Sequence, residues 1–271
     1  MTPEALLSAL RSRGWPVEAV ERLPRGRTNC AWRVRSGERA LTLRHPSGDP
    51  ALLFPRDPAA ERRALVALAR TGLAPELAGW EPGLAGGAIL TSYVEGRPWG
   101  GDAAAVGRLL RRLHGRAAPV GLPVRGCDPV GEGFAILAQC RDRGLAALAP
   151  PRVKLAGRAL LHSDPVPGNL IEGPEGLALI DWQCPAAGPT AHDVMLFLSP
   201  AMQILGRERA LTGAERQAFA AAYGPLPPPP VRAAMHWRMA CHCQWRIERG
   251  DAAYRPALEA ELRALARARR R

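Results

Sequence analysis

The chain has 271 residues, of which 47% are hydrophobic, with a formal net charge of +12 and a pI near 10.7. This length and apolar content are typical of a globular protein with one large core or two smaller ones, and they argue against a disordered chain. The first residues lack a basic stretch followed by an apolar run, and no run of about 18 apolar residues occurs, so we expect neither a signal peptide nor a membrane span.

The six cysteines are scattered without the spacing of a disulfide framework, which favours reduced thiols and a cytoplasmic location. The positive charge raises nucleic acid as a partner. Lys154 is the only lysine, however, so 36 of the 37 basic residues are arginine, which we attribute to a general enrichment in Arg and Ala. No aromatic residues interleave with the basic run at 267–271, and we therefore expect no nucleic-acid partner.

The first third of the chain predicts short strands and one helix. Two β-prone stretches, 31–34 and 41–43, flank residues 36–38, whose Ser-Gly-Glu sequence is typical of a hairpin turn. Apolar positions recur at spacings of three and four over residues 57–70, and Gly72 follows as a stop signal. A small sheet with one accompanying helix is therefore expected here.

A change of composition near residue 95 marks the expected domain boundary. The extended stretch 88–94 ends at residues 95–98, a Glu-Gly-Arg-Pro turn, and long helical patterns follow it. We therefore divide the chain into an N-terminal lobe, 1–95, and a C-terminal lobe, 96–271.

The second part of the chain is dominated by helical patterns. Helices are predicted at 103–114, 133–148, near 190–200, 212–223, 231–249 and 256–269. Two short apolar runs, 159–161 and 177–180, bracket a polar loop between these helices. The expected fold class is α+β, with a small β-rich lobe followed by a larger helical lobe.

The polar loop carries residue types that are common in catalytic and metal-binding sites. His162 and Asp164 are followed by Asn169, and Asp181 follows twelve residues later, directly before Trp182. Phosphoryl transfer requires a carboxylate that orients the acceptor hydroxyl and receives its proton, a role that fits Asp164. It also requires hard oxygen ligands for magnesium on the phosphates, which Asn169 and Asp181 supply.

A structural interpretation of the same residues is available. The segment 162–164 can be a turn and Asp181 a helix cap, and a three-residue match alone would favour that interpretation. The Asn at the required offset, the two flanking apolar strands and the Asp-Trp pair together favour the catalytic interpretation.

These motifs resemble the aminoglycoside phosphotransferase and choline kinase-like family, whose pattern is approximately H-G-D-x-x-x-x-N followed by I-D-W. The resemblance covers nearly the whole chain and includes Gly107 to His114, which is similar to the family's G-x-x-L-x-x-L-H helix. It implies a bilobal protein-kinase-like fold, with ATP and Mg²⁺ as cofactors and a small-molecule hydroxyl as the phosphate acceptor. The resemblance also implies that the lobe 1–95 binds the nucleotide and that the lobe 96–271 holds the catalytic loop and the acceptor site. No D-F-G or A-P-E motif occurs, which disfavours a protein kinase.

The resemblance also assigns residues to the nucleotide. Residues 23–29 resemble the nucleotide-covering loop, so Gly26, Thr28 and Asn29 are expected at the phosphates. Glu61 is similar to the helix glutamate that pairs with the phosphate-binding cation. That cation is normally a lysine on the third strand, whereas this chain has Arg44, a planar fork rather than a point charge.

Two further residues are expected to support the catalytic loop. Asp193 lies where the family carries an aspartate that braces this loop through its backbone, and His162 belongs to the loop itself. Ser163 replaces the family's usual glycine, a small change that leaves room for the backbone.

The predicted function is ATP- and Mg-dependent phosphorylation of a small alcohol. From residue 101 onward there are 23 basic and 15 acidic residues, so few carboxylates remain to build a groove for a polycation. A choline, thiamine or sugar-type acceptor is therefore favoured over an aminoglycoside. Trp237 and Trp245 belong either to the core or to the wall of a pocket for a cation.

Two rival functions stay open. A nucleotide-binding pseudokinase with a regulatory role is favoured only by Arg44 in place of lysine, and a nucleic-acid-binding role rests on charge alone.

Overall fold

The computed structural model describes residues 1–23, 29–46, 53, 56–84 and 86–270. These residues form two compact units. The first comprises Met1–Gly96 with Gly173–Cys184, and the second comprises Arg97–Glu172 with Pro185–Arg271. The chain thus returns to the first unit for one segment, which contains Asp181. The boundary predicted at residue 95 instead places this segment in the C-terminal lobe.

The described helices and strands follow in chain order. Up to residue 96 they are α1 (Pro3–Arg11), β1 (Ala19–Arg22), β2 (Asn29–Ser36), β3 (Arg39–Pro46), α2 (Pro58–Ala67), β4 (Leu77–Glu81) and β5 (Ala88–Ser92). Beyond it they are β6 (Arg97–Pro98), α3 (Ala103–His114), α4 (Pro129–Leu137), β7 (Ala159–Leu161), β8 (Leu170–Gly173), β9 (Gly176–Leu179), β10 (Ala186–Gly188), α5 (Ala191–Phe197), α6 (Pro200–Arg207), α7 (Gly213–Tyr223), α8 (Pro229–Glu248) and α9 (Tyr254–Arg269).

The first unit is built on an antiparallel sheet of five strands in the order β1-β2-β3-β5-β4. Strands β2 and β3 form the predicted hairpin, with Ser36 opposite Arg39 at its tip. Gly37 has a φ of 62° there, a left-handed conformation that glycine adopts without a steric penalty. The hairpin sets the register that places Arg44 on β3.

The two faces of β3 have different surroundings, one apolar and one charged. Leu41 and Leu43 are buried in an apolar cluster with Leu6 and Leu10 of α1. Because side chains alternate along a strand, Arg44 points to the other face. The apolar cluster therefore anchors β3 from one side and leaves the arginine for charged partners on the other.

Helix α2 supplies one of those partners. The Asp57 side chain accepts a hydrogen bond from the Ala60 amide at 2.9 Å and caps the helix, with Pro58 in its first turn. Ala64 and Leu65 are buried, and so is Glu61. The helix predicted at 57–70 is confirmed, although it ends three residues earlier.

The second unit is mainly helical. Helix α3 packs on α7, and α8 packs on both α4 and α9. Strands β7 and β10 form a short antiparallel pair, with Leu161 opposite Ala186. Helix α3 spans the predicted residues 103–114, and the predicted separation of the helices at 212–223 and 231–249 is confirmed by α7 and α8.

The helix predicted at 133–148 is wrong in its extent. Helix α4 already begins at Pro129, capped by Asp128, and ends at Leu137. The amides of Arg141 and Asp142 then donate to the Glu248 carboxylate at 2.7 and 2.9 Å, so the chain turns away from a helical path. The helix predicted near 190–200 corresponds to α5, and α6, which begins at Pro200, was not predicted.

In the part of the chain that the structure describes, no helix is long and apolar enough to cross a lipid bilayer.

Candidate active site

The predicted site residues form two groups, one in each unit. Arg44, Glu61 and Asp181 lie in the first unit, and their side chains contact each other. The loop residues and Asp193 lie in the second unit and are hydrogen-bonded among themselves. Gly26 and Thr28 lie outside the described residues. Asn29 begins β2, and its side chain is also outside the description.

The guanidinium of Arg44 joins two carboxylates. One terminal nitrogen, Nη2, donates to Oε1 of Glu61, and the other, Nη1, donates to Oδ1 of Asp181. The pair with Glu61 agrees with the sequence prediction, whereas the contact with Asp181 was not anticipated. A guanidinium offers several donors in a fixed fork, so one arginine can hold two carboxylates at once, unlike the point charge of a lysine.

Burial and the neighbouring charges shift the pKa of Arg44 in opposite directions. Burial alone lowers the pKa of the guanidinium, but the carboxylates of Glu61 and Asp181 raise that pKa above its ordinary value. The cation is therefore retained. Glu61 is completely buried, whereas the Asp181 side chain keeps 25% of its exposure and can reach a further ligand.

The turn that carries Asp181 is fixed on both sides. The Leu179 amide donates to the carbonyl of Leu73 at 3.1 Å, and the buried Trp182 indole donates to the carbonyl of Leu179 at 2.9 Å. Asp181 itself has a φ of 63°, a left-handed conformation that aspartate tolerates better than most residues. The Ile-Asp-Trp signal thus specifies a tight turn in addition to a carboxylate.

The loop after β7 is held by one buried carboxylate. Asp193 accepts hydrogen bonds from the amides of His162 and Ser163 at 2.8 and 2.9 Å. Ser163 has a φ of 68°, which is easiest for glycine. The bond from the Ser163 amide stabilises this strained conformation. Within the loop, His162 Nδ1 also accepts from the Asp164 amide at 3.3 Å.

Asp164 and Asn169 are joined directly. The Asn169 Nδ2 group donates to the Asp164 carbonyl at 2.9 Å and to its carboxylate oxygen Oδ2 at 3.0 Å. The amide nitrogen is thereby used within the loop. The Asn169 amide oxygen is the atom with the chemistry to bind a hard cation.

Sequence reasoning did not identify His114 as part of this arrangement. Its Nε2 lies 3.3 Å from Oδ2 of Asp193, and its Nδ1 lies 2.9 Å from the Tyr223 hydroxyl. Burial alone would raise the pKa of Asp193, but the hydrogen bond and charge of His114 hold that pKa below its ordinary value. The signal was present, since His114 is the last residue of the family's G-x-x-L-x-x-L-H pattern.

We predict that Asp193→Asn lowers the free energy of unfolding by about 2 kcal/mol or more, because one amide oxygen cannot replace two charged acceptors for buried N–H groups. Urea unfolding monitored by circular dichroism measures the loss. Asp102→Asn is the matched control, since Asp102 caps α3 with an exposed side chain and asparagine caps equally well. A loss for Asp193→Asn no larger than that of the control would contradict the bracing role.

Comparisons with known proteins agree with these motifs. A family model described as "Phosphotransferase enzyme family" (APH) matches residues 19–238. No curated protein sequence matches the chain significantly.

Solved structures with the same fold include three kinases. Choline kinase LicA from Streptococcus pneumoniae aligns with a TM-score of 0.70 and 18% identity over 97% of this chain and 99% of that one. Aminoglycoside phosphotransferase APH(4)-Ia aligns with a TM-score of 0.67 and 14% identity over 97% and 98% of the two chains. A putative fructosamine-3-kinase from Thermobifida fusca aligns with a TM-score of 0.63 and 21% identity over 98% and 100%. These likenesses confirm the predicted α+β, protein-kinase-like fold.

Proposed function

This chain belongs to the phosphotransferase enzyme family, and from that premise we propose that it transfers the γ-phosphoryl group of ATP to a hydroxyl of a small molecule, with Mg²⁺. The observation that carries the proposal is the loop in which Asn169 holds Asp164 while Asp193 holds the loop backbone. An arrangement with one carboxylate in a fixed orientation suits proton transfer from an alcohol. A cytoplasmic location is proposed from the cysteine usage.

In the proposed reaction, Asp164 receives the proton of the acceptor hydroxyl. The hydroxyl oxygen forms a bond to the γ-phosphorus as the bond from that phosphorus to the bridging oxygen of ATP breaks, and ADP leaves. The hydrogen bond from Asn169 Nδ2 to the Asp164 carboxylate, at 3.0 Å, and the bond from the Asp164 amide to His162 Nδ1, at 3.3 Å, hold Asp164 in place. Positioning of this kind is what a phosphoryl-transfer enzyme contributes most.

The residues present also suit a magnesium-nucleotide. We propose the amide oxygen of Asn169 and the carboxylate of Asp181 as protein ligands, because both are hard oxygen donors and the Asp181 side chain is partly exposed. Bound Mg²⁺ supplies positive charge that offsets the charge of the phosphates. Arg44 then serves as the phosphate-binding cation, oriented by Glu61. Support for a nucleotide also comes from the neighbours LicA and APH(4)-Ia, which were crystallised with AMP and ADP respectively.

The proposed acceptor is a neutral or singly charged alcohol. An acidic groove for a polycation would have to come from carboxylates of the second unit, and four acids near its end are close in sequence. Each of the four has a partner within the second unit: Glu248 the Arg141 amide, Asp251 Arg246, Glu259 Arg263 and Glu261 His236. These carboxylates therefore serve the helices themselves, which supports a choline, thiamine or sugar-type acceptor over an aminoglycoside.

The two tryptophans of α8 do not help to choose among these alcohols. Trp237 is buried against Phe134 and donates to the Leu145 carbonyl at 2.8 Å. Trp245 is also buried, with the Arg249 guanidinium 4.0 Å from its ring centroid. Both belong to the core of the second unit, so the aromatic walls of a quaternary-ammonium site would have to come from elsewhere.

The pseudokinase alternative gains no support from the described residues. A pseudokinase is expected to have lost a catalytic or metal-binding group, yet Asp164, Asn169 and Asp181 are all present. Arg44 retains both its charge and its pair with Glu61.

We predict that Asp164→Asn retains nucleotide affinity but lowers the rate of phosphoryl transfer by roughly 10² to 10⁴, the usual contribution of a positioned general base. The measurement pairs ADP release during turnover with calorimetric titration of nucleotide. Asp142→Asn serves as the control, because Asp142 is exposed and distant in sequence from the loop. Turnover of Asp164→Asn within threefold of the wild type would remove this residue from the base role.

The same assay identifies the acceptor class. With ATP and Mg²⁺ present, we expect the highest kcat/KM for a choline, thiamine or simple sugar acceptor, because the four acids at 248–261 already have partners and would attract a polycation less. The panel compares these alcohols with kanamycin-type aminoglycosides. An aminoglycoside with a kcat/KM above all the small alcohols would overturn the acceptor proposal and leave the phosphotransferase proposal intact.

A further inference from the structure

A second arginine, Arg56, lies beside the Arg44 pair. Its Nη2 atom is 3.5 Å from Oε2 of Glu61, so the two oxygens of this carboxylate face different arginines. The Arg56 side chain keeps 5% of its exposure, and it precedes the Asp57 cap of α2 directly in the chain. Sequence reasoning did not single out this residue, since no motif covers it.

The hydrogen-bonding capacity of Arg56 is unused among the residues that the structure describes. None of its three guanidinium nitrogens has a hydrogen-bond partner there, and the same holds for Oε2 of Glu61. Burial lowers the pKa of Arg56 below its ordinary value, and the attraction of Glu61 does not offset that effect. For Arg44 the neighbouring carboxylates outweigh burial, and the pKa is raised. Glu61 is an ion-pair partner of Arg56 at 3.5 Å, but buried cations normally also have hydrogen-bonded partners of opposite charge. Arg56 therefore has donors available for a further anion.

The charge balance indicates when that anion is required. Arg44 and Arg56 carry two positive charges, which Glu61 and Asp181 neutralise together. If Asp181 serves a metal ion, as the proposed function holds, Glu61 alone faces two arginines. The surplus is then one positive charge, which comes from Arg56.

We propose that Arg56 is a second phosphate-binding residue, whose guanidinium donates to oxygens of the diphosphate portion of the bound nucleotide. This inference rests on the proposed function. Phosphate fits the observations because its oxygens accept several donors of a planar fork at once. Arg44, by contrast, already uses two of its nitrogens on carboxylates. Arg44 therefore shares its donors between the carboxylates and the nucleotide, whereas Arg56 has donors left for the phosphates.

The test is a set of binding titrations on Arg56→Met, Arg56→Lys and the wild type. Arg63→Met is the matched control, since it removes an arginine from the same helix region whose side chain is 41% exposed. Calorimetry gives the dissociation constants of ADP with Mg²⁺ and of adenosine, the latter by displacement. Thermal unfolding without ligand gives the midpoint of each variant. These readouts do not depend on turnover.

We expect Arg56→Met to raise the dissociation constant of ADP about 10- to 100-fold, the range for lost charge-assisted hydrogen bonds. The constant for adenosine should stay within about twofold, and the unfolding midpoint of the ligand-free variant within about 3 °C of the wild type. Arg56→Lys should lose less ADP affinity than Arg56→Met, because it keeps the charge. Arg63→Met should leave all three values unchanged.

Several results would overturn the inference. Wild-type ADP affinity in Arg56→Met would do so while leaving the proposed function in place. Equal losses for ADP and adenosine, or failure of both Arg56 variants to fold, would assign Arg56 a structural role instead. A wild-type protein that binds neither ADP nor ATP would defeat the proposed function itself, and this inference with it.

Discussion

The buried carboxylate of Glu61 is the group on which the charged side of the first unit depends. Removing a carboxylate from water costs several kcal/mol unless a cation compensates it, and Glu61 has no exposure at all. Arg44 provides that compensation, and its second nitrogen donates to Asp181. One ion group therefore ties helix α2, strand β3 and the turn after β9 together. This contact helps to explain why the segment Gly173–Cys184 groups with the sheet although it follows the loop at 162–169 in the chain.

The second unit also depends on a buried carboxylate whose charge is compensated by its partners. Asp193 is a fully buried carboxylate, and its partners are two backbone amides and a histidine ring rather than an arginine. The amides belong to a loop whose Ser163 adopts a left-handed conformation, so the carboxylate stabilises a backbone that the sequence alone would not favour. In both units a buried charge fixes a polar loop or turn, and so positions the partly exposed carboxylates of Asp164 and Asp181.

Local signals in the sequence predicted the fold and most of the candidate site residues. The hairpin at Gly37, helix α3 and the spacing from His162 to Asn169 depend on neighbouring residues, and spacing is visible in a sequence. Contacts between distant segments were missed. The link from Arg44 to Asp181 spans 137 positions, Glu248 ends the helical path near Arg141 from more than 100 residues away, and Arg56 lies outside any periodic pattern. The contacts of buried charges depend on tertiary packing, which residue spacing does not encode.

The compensation of Glu61 by Arg44 is tested most directly by a double-mutant cycle on the free energy of unfolding, with Arg44→Gln, Glu61→Gln and the double variant. Each single change leaves the opposite charge buried without its main partner, which typically costs about 3–5 kcal/mol, whereas the double change removes both charges. The account predicts that the double variant loses at least about 2 kcal/mol less than the sum of the single losses. Losses that add to within about 0.5 kcal/mol would contradict it.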